Sequence, residues 1–330
     1  MILVVGGAGY VGSHTVRMLL DQGYQVAVLD NLTTGHRAAV DPRTVFIDGD
    51  LGDCADLDRV FSTYPITGVM HFAANSLVAE SVANPLKYYQ NNVASTINLL
   101  ESMLRYGVRR FIFSSTAAVY GVPDVELIDE TLPANPINPY GRTKRMIEQI
   151  IEDLSVSHGL EYVTLRYFNA AGAHLSGEIG EDHDQESHLI PIVLQHLLGL
   201  RDKITVFGTD YDTPDGTCIR DYIHVLDLAN AHILALAKLF FGEVRNQVYN
   251  LGTGRGYSVK EVISLCEETT GRKAVIQLGN RREGDPPRLV AANRKVKAEL
   301  NWVPEHDLKS MISSAWNWHT KYPAGYQVLR

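Results

Sequence analysis

The sequence predicts an α/β fold, a Rossmann-type doubly wound parallel sheet with a smaller C-terminal α/β substrate domain, and three observations carry this. The chain opens with the apolar run Ile2 to Val5, followed at once by Gly6-Gly7-Ala8-Gly9-Tyr10-Val11-Gly12 and the helix-like Ser13-His14-Thr15-Val16-Arg17-Met18-Leu19-Leu20. Further apolar runs alternate with helical segments up to Gly172, and runs without polar interruption suit parallel strands buried on both faces. Beyond Gly172 that alternation breaks. The expected division is therefore 1–172 as the dinucleotide-binding domain and 173–330 as mainly the substrate domain, with some segments returning to the first.

Taken in order, glycines at the first, fourth and seventh positions of the turn allow a tight bend, close approach of backbone to a pyrophosphate, and close packing of helix on strand. The spacing G-x-x-G-x-x-G differs from the commoner G-x-G-x-x-G; its position between a first strand and a helix gives it meaning. Gly23 ends the helix, and Tyr24 to Leu29 form a second strand that delivers Asp30-Asn31. Asp30 follows Gly12 by 18 residues, where a carboxylate accepts the ribose hydroxyls of NAD and repels a 2′-phosphate, so NAD is expected over NADP. Val45 to Ile47 make a third strand. It leads to Asp50, which is placed either to accept from an adenine amino group or to form a turn.

Gly68 to Ala74 form the fourth strand. Asn84-Pro85 then start a long helix through about Tyr106, with Asn84 as N-cap and Pro85 at the first helical position. Arg110 to Phe113 make the fifth strand, which runs into Ser114-Ser115-Thr116-Ala117-Ala118-Val119-Tyr120-Gly121; hydroxyls at the carboxyl end of a parallel strand face the ligand crevice. Pro139 starts the next helix, and a strand follows at Glu161 to Leu165. In the second half the expected elements are an acidic loop from Gly177 to Glu186, a helix at Leu189 to Gly199 and a strand at Ile204 to Phe207. After them come a loop from Thr213 to His224, a helix at Val225 to Leu239, a strand at Val248 to Gly252, a helix capped by Ser258, and a last helix at Met311 to His319.

The chemistry is expected at Tyr140 and Lys144, four residues apart and so on one face of a helix. A free phenol has a pKa of roughly 10, and a neighbouring ammonium favours its ionised form, bringing Tyr140 toward use as a general base.

Composition narrows the remaining classes. Thirty Lys and Arg against thirty-eight Asp and Glu give a net charge of −8 in 330 residues. With no basic run or basic amphipathic helix, nucleic acid and anionic membrane are excluded as partners. No stretch reads as a signal peptide or a membrane span, so a cytoplasmic protein is expected. Cys54, Cys218 and Cys266 are isolated and read as reduced thiols, and the twelve histidines show no zinc-like spacing, so no metal site is expected.

These residues resemble the extended short-chain dehydrogenase/reductase superfamily, and within it the UDP-hexose 4-epimerases, over nearly the whole chain. The carriers are the glycine turn, Asp30-Asn31, HFAA at 71–74, SSTAAVYG at 114–121, Tyr140-x-x-x-Lys144, RYFNAAG at 166–172, DGTCIRDYIHV at 215–225, YNLGTGRGYSV at 249–259 and REGDPPR at 282–288. The resemblance implies that Tyr140, Lys144 and Thr116 are catalytic, with Thr116 hydrogen-bonding the sugar C4 hydroxyl and Lys144 contacting the nicotinamide ribose. It implies cofactor contacts from Gly6, Gly9, Tyr10, Val11, Gly12, Asp30, Asn31, Asp50, Leu51, Phe72, Ala73, Ala74, Asn91, Ser114 and Tyr167 as well as Tyr140 and Lys144. It implies substrate contacts from Asn169, His188, Leu189, Phe207, Arg220, Arg282, Asp285 and Leu289 as well as Thr116 and Tyr140. Guanidinium forks suit the phosphates and a carboxylate suits the ribose diol.

By this resemblance the expected activity is NAD-dependent interconversion of UDP-glucose and UDP-galactose through a transient 4-keto sugar with internal return of hydride, carried out by a homodimer. The alternatives are a 4-epimerase of another UDP-sugar, such as UDP-N-acetylglucosamine, a UDP-pentose or a UDP-uronate, or else a sugar-nucleotide dehydratase or dehydrogenase. Dehydratases of this kind resemble a pattern in which Asp-Glu follows the catalytic Thr; here Ala117-Ala118 follow it. Two departures stand out. Many epimerases carry Lys where this chain has Ser76, and many carry Asn where it has His188.

Overall fold

The computed structural model describes residues 1–282 and 285–326. In chain order the first half runs β1 (Ile2–Val5), α1 (Tyr10–Asp21), β2 (Val26–Asp30), β3 (Val45–Asp48), α2 (Cys54–Thr63), β4 (Gly68–His71), α3 (Val78–Ala83), α4 (Pro85–Tyr88), α5 (Ser95–Arg105), β5 (Arg110–Thr116), α6 (Pro139–His158) and β6 (Glu161–Tyr167). The second half runs β7 (Asn169–Ala171), α7 (Leu189–Leu197), β8 (Ile204–Phe207), β9 (Ile219–His224), α8 (Val225–Phe240), β10 (Gln247–Leu251), β11 (Gly256–Ser258), α9 (Val259–Thr270), β12 (Ile276–Gly279), β13 (Arg288–Leu289), α10 (Arg294–Leu300) and α11 (Leu308–Lys321).

Seven strands form one parallel sheet in the order β10-β6-β5-β4-β1-β2-β3. Successive strand side chains point to opposite faces, which explains the unbroken apolar strands. Val4 packs with Val16 and Leu19 of α1 and Leu228 and Leu236 of α8. Its neighbour Leu3 packs on the other face with Leu57 of α2, Leu99 of α5 and Ile147 of α6. The order reverses beside β1 and β4, so the glycine turn and the end of β4 line one crevice.

β10 returns from the second half to pair in parallel with β6, Tyr249 opposite Leu165. The remaining strands make a small sheet in which β9 pairs with β11, β13 and β7, and a two-stranded sheet of β12 and β8. A separate core fills the space among α7, α9 and α11, with Leu194, Val262, Met311 and Ile312 at its centre. Among the described residues, no helix is long and apolar enough to cross a membrane.

Two local expectations give way. The helix expected from Pro85 to Tyr106 widens into a π-helical turn at Tyr89–Ala94, and Asn84 makes no side-chain cap bond. In that turn the Asn92 amide donates to Asn75 O at 3.0 Å and Thr143 Oγ1 at 3.1 Å, while Asn92 Oδ1 accepts from Asn75 N at 2.8 Å. The wider turn thus ties the helix to the loop after β4 and to α6. The second case is the stretch expected as a loop up to His224, whose last six residues are β9. Its partners are strands of two or three residues drawn from distant parts of the chain.

Candidate active site

The glycine turn is sterically compelled. Gly6 has φ +78°, and a Cβ there would lie 2.5 Å from Ala73 N. At Gly12 a Cβ would lie 2.2 Å from Gly6 O. Gly9 is the N-cap of α1 and offers no side-chain acceptor, so the first-turn amides of Tyr10, Val11 and Gly12 have no side-chain cap. Bare amides at the positive end of a helix are what a pyrophosphate requires. Tyr10 anchors this end by donating to Gly172 O at 2.6 Å, and Val11 is half-buried against the core.

At the end of β2, Asp30 accepts from Ala8 N and Leu32 N, each at 2.9 Å. Burial lifts its carboxyl above the usual range, and those two amides oppose the shift. Asn31 donates to Asp50 Oδ2 at 2.7 Å, and Gly52 N donates to Asp50 Oδ1 at 2.6 Å. Asp50 therefore does form the turn, and reaches an adenine only through lone pairs those bonds leave. Leu51 is buried, its carbonyl accepting from Asn98. Phe72, Ala73 and Ala74 lie just past β4 rather than within it, with the amides of Phe72 and Ala73 bonded to Val5 O. A cleft of about 510 Å³ opens nearby, lined by Thr33, Asn75, Asn91 and Ser95 among others. The glycine cradle, the bare helix end and the carboxylate at the end of β2 fit NAD.

The catalytic candidates converge at the carboxyl ends of β5 and β6. Asn138 caps α6 by accepting from Gly141 N at 2.8 Å, and Pro139 occupies the first turn. That geometry buries Tyr140 and Lys144 at 9% and 3% exposure. Lys144 Nζ donates to Ser114 O at 2.8 Å and lies 4.9 Å from the Phe113 ring centroid. Thr116 accepts from Ala118 N at 3.1 Å, fixing its hydroxyl at the strand end. Burial pushes the Tyr140 phenol above its ordinary pKa, while the nearby Thr116 hydroxyl works in the opposite direction. Tyr167, beside Tyr140 and Ser114, is also pushed up by burial. The Lys144 ammonium is itself held down to about 7 by burial, which the charge of Glu148 opposes. In the protein alone burial therefore governs the Tyr140 phenol, and the Lys144 ammonium is held on the Ser114 carbonyl.

Sequence reasoning missed the residues beneath this pair. Glu148 is 1% exposed and takes Arg166 Nε at 2.9 Å and Nη2 at 2.6 Å, Ser115 Oγ at 2.6 Å and Arg145 Nη1 at 3.1 Å. Arg166 also donates to Tyr120 Oη at 2.9 Å, and Tyr120 donates to Asn250 Oδ1 at 2.8 Å. The network fastens α6 to β5, β6 and β10 directly under Tyr140 and Lys144. Glu148 lies four residues after Lys144 on the same helical face, and that was the available signal.

On the substrate side, β9 and β13 place Arg220 opposite Leu289. Arg220 pairs with Asp285 and also donates to Ile219 O, so a phosphate must compete with that carboxylate. Arg282 stacks on Phe207 with its Cζ 4.1 Å from the ring centroid. Asn169 begins β7 opposite Tyr222 of β9. Of the REGDPPR stretch, Glu283 and Gly284 lie outside the described residues. His188 sits at the N-cap of α7, ahead of Leu189, and turns Nδ1 toward Glu181 and Glu186. Also unforeseen was Asp221, fully buried, which accepts from the amides of Thr253, Gly254 and Ala291 and so fixes the loop after β10 beside β13.

Fold and site together define a nucleotide-cofactor enzyme with a buried Tyr–Lys pair. The chain belongs to the NAD dependent epimerase/dehydratase family, whose model matches residues 2–252. More particularly, it is 53% identical over 328 residues to a UDP-glucose 4-epimerase of Halalkalibacterium halodurans, covering 99% of this chain and 98% of that protein. A crystal structure of UDP-glucose 4-epimerase from Bifidobacterium longum in complex with NAD+ and UDP superposes with a TM-score of 0.93 at 41% identity, covering 98% and 99% of the two chains. The UDP-Glc/GlcNAc 4-epimerase of Campylobacter jejuni superposes with a TM-score of 0.85 at 42% identity, covering 97% and 99%.

Proposed function

We propose that this chain interconverts UDP-glucose and UDP-galactose by inverting C4 of the sugar. The observation that carries the reading is the buried convergence of Tyr140, Thr116 and Lys144 beside a dinucleotide cradle, with Ala117-Ala118 following the threonine. Two alanines offer no acid or base to expel water, which favours epimerisation over dehydration.

NAD, when bound, supplies a reversible hydride acceptor for sugar C4. Thr116 Oγ1 holds the C4 hydroxyl, and the Tyr140 phenolic oxygen takes its proton and later returns it. Lys144 positions the cofactor ribose from its seat on Ser114 O. Arg220 and Arg282 hold the diphosphate and Asp285 the nucleoside ribose, with Asn169, Leu189, Phe207 and Leu289 around them. Anchoring at that end leaves the 4-keto sugar free to turn and present its other face. The protein acts as a cytoplasmic homodimer through α4, α5 and α6; Leu86, Ile97 and Met146 lie exposed on these helices, which supports a partner surface there.

The test is to incubate the purified protein with UDP-glucose deuterated at C4 and resolve the products. UDP-galactose that keeps its label at C4, with none exchanged for solvent hydrogen, is the expected result. Washout at C4, or turnover only with stoichiometric added NAD, would overturn it in favour of a dehydrogenase.

A further inference from the structure

The histidine spacings in the sequence carry no zinc pattern, yet the loop before α7 folds Glu181, His183, Glu186 and His188 so that one donor atom from each lies within 4.8 Å of all the others. We infer that these four side chains form a structural site for a divalent transition-metal cation, Zn²⁺ being the ion their chemistry suits.

The His183 distances approach those around a single bound ion, whereas His188 and Glu181, in direct contact, would part to admit it. Four ligands about 2.0–2.1 Å from a tetrahedral zinc stand roughly 3.3–3.4 Å from one another. His183 Nδ1 lies 3.3 Å from Glu186 Oε2 and 3.5 Å from Glu181 Oε1, and His188 Nδ1 lies 3.7 Å from Glu186 Oε1. His188 Nδ1 also contacts Glu181 Oε1 directly. Both imidazoles thus turn the same nitrogen toward both carboxylates. A neutral imidazole has one N–H, so at most one of the two carboxylates it faces receives a full hydrogen bond.

Charge leads to the same place. The side chains of Glu181 and Glu186 are 3% and 1% exposed, and among the described residues neither pairs with a Lys or Arg. Two buried carboxylates facing each other call for two positive charges. Two imidazolium ions supply them, and so does one divalent cation with two neutral imidazoles; N₂O₂ donors are of the kind that imidazole- and carboxylate-binding zinc sites use, and the zinc titration below separates the two.

The surroundings hold the donors in place. Glu186 Oε1 accepts from Ser187 N and His188 N at 2.8 Å each, which leaves Oε2 toward His183. The carbonyl of Glu181 accepts from Trp318 Nε1 at 3.2 Å, and the next residue, Asp182, accepts from Tyr326 N at 2.7 Å. Backbone and aromatic partners of this kind orient metal ligands from behind. Four protein ligands leave no open position, so the ion is structural: it clips the loop to the start of α7.

The experiment uses the holoprotein, purified without a polyhistidine tag, and elemental analysis. About one zinc per chain is expected, removed by 1,10-phenanthroline with a fall in Tm that added Zn²⁺ restores. Co²⁺ in its place should give the visible d–d absorption of a tetrahedral ion. His183→Ala and, separately, Glu186→Gln should abolish uptake while each protein keeps its bound nicotinamide cofactor, which shows that it has folded. The inference is overturned if the stripped protein shows no one-to-one Zn²⁺ titration and no rise in Tm, or if both variants bind zinc as the parent does.

Discussion

Replacing Glu148 by Gln tests whether the site depends on the buried network beneath it. The substitution keeps the shape and one acceptor oxygen, so Ser115 retains its bond, Arg166 retains one of two and Arg145 loses its own. What disappears is the charge opposite a guanidinium that is 5% exposed. Breaking a buried pair from one side costs about 3–5 kcal/mol, and the surviving acceptor places this case near about 3 kcal/mol. At about 2 °C per kcal/mol for a chain of this length, Tm should fall by about 6 °C. The loss can be read from urea unfolding followed by tryptophan fluorescence. Glu148→Met combined with Arg166→Met removes both charges and should recover part of it.

The same substitution acts on Lys144. Burial already holds that ammonium down to about 7 and Glu148 pulls it up, so losing the carboxylate charge drives it lower. The protonated form then survives only to a more acidic pH, and the alkaline limb of kcat/KM should move down. A single variant within about 1 kcal/mol of the parent, with an unmoved alkaline limb, would refute the reasoning, because a buried guanidinium without its counter-ion cannot be neutral in cost.

Three other outcomes follow from the geometry. Tyr140→Phe should retain the cofactor and lose about 10²–10⁴ in kcat, measured in a coupled assay, since it removes the proton acceptor and leaves the packing; unchanged kcat would reassign the base. Gly12→Ala should lose bound nicotinamide, read by absorbance of the purified protein, because its Cβ would stand 2.2 Å from Gly6 O and force the cradle open. Leu289→Ala should improve turnover of N-acetylated UDP-hexosamines relative to UDP-hexoses, because a smaller side chain at this expected substrate contact leaves room for the acetamide group; an unchanged ratio of kcat/KM would overturn that role for Leu289.

The parts legible in the sequence are those where local chemistry has one solution. Gly6 and Gly12 sit where any side chain meets backbone, and the strands on either side of them are apolar because both faces of the sheet are covered. Tyr140 and Lys144 share a helical face by their spacing, and the glycine turn and the strand-end hydroxyls around them give that spacing its meaning. The parts that stayed hidden depend on distant partners. Ile219–His224 has strand residues, but its neighbours are fragments from three far segments, so nothing local separates it from a loop. Glu148 on a helix reads as a solvated acid until Arg166 is seen beneath it. A π-helical turn keeps a helix's composition, and only the Asn92 amide reaching Asn75 and Thr143 reveals it. The Glu181 to His188 cluster was missed because its donors come from an irregular loop, where spacing says little about distance.

The pairing of β10 with β6 also bears on how the chain is made. When the ribosome has delivered residues 1–172, the outer edge of β6 has no neighbour, although Val163 and Leu165 are fully buried in the finished protein. The covering strand ends at Leu251, 251 − 172 = 79 residues later. At about 5–20 residues per second that is a wait of roughly 4–16 s. Throughout it the nascent sheet offers an apolar, unpaired edge to any other chain nearby, the usual starting point for aggregation. A fragment ending at Gly172 would remain in that condition permanently, so cutting where the helix–strand alternation stops is expected to give a piece more prone to aggregate than the whole chain.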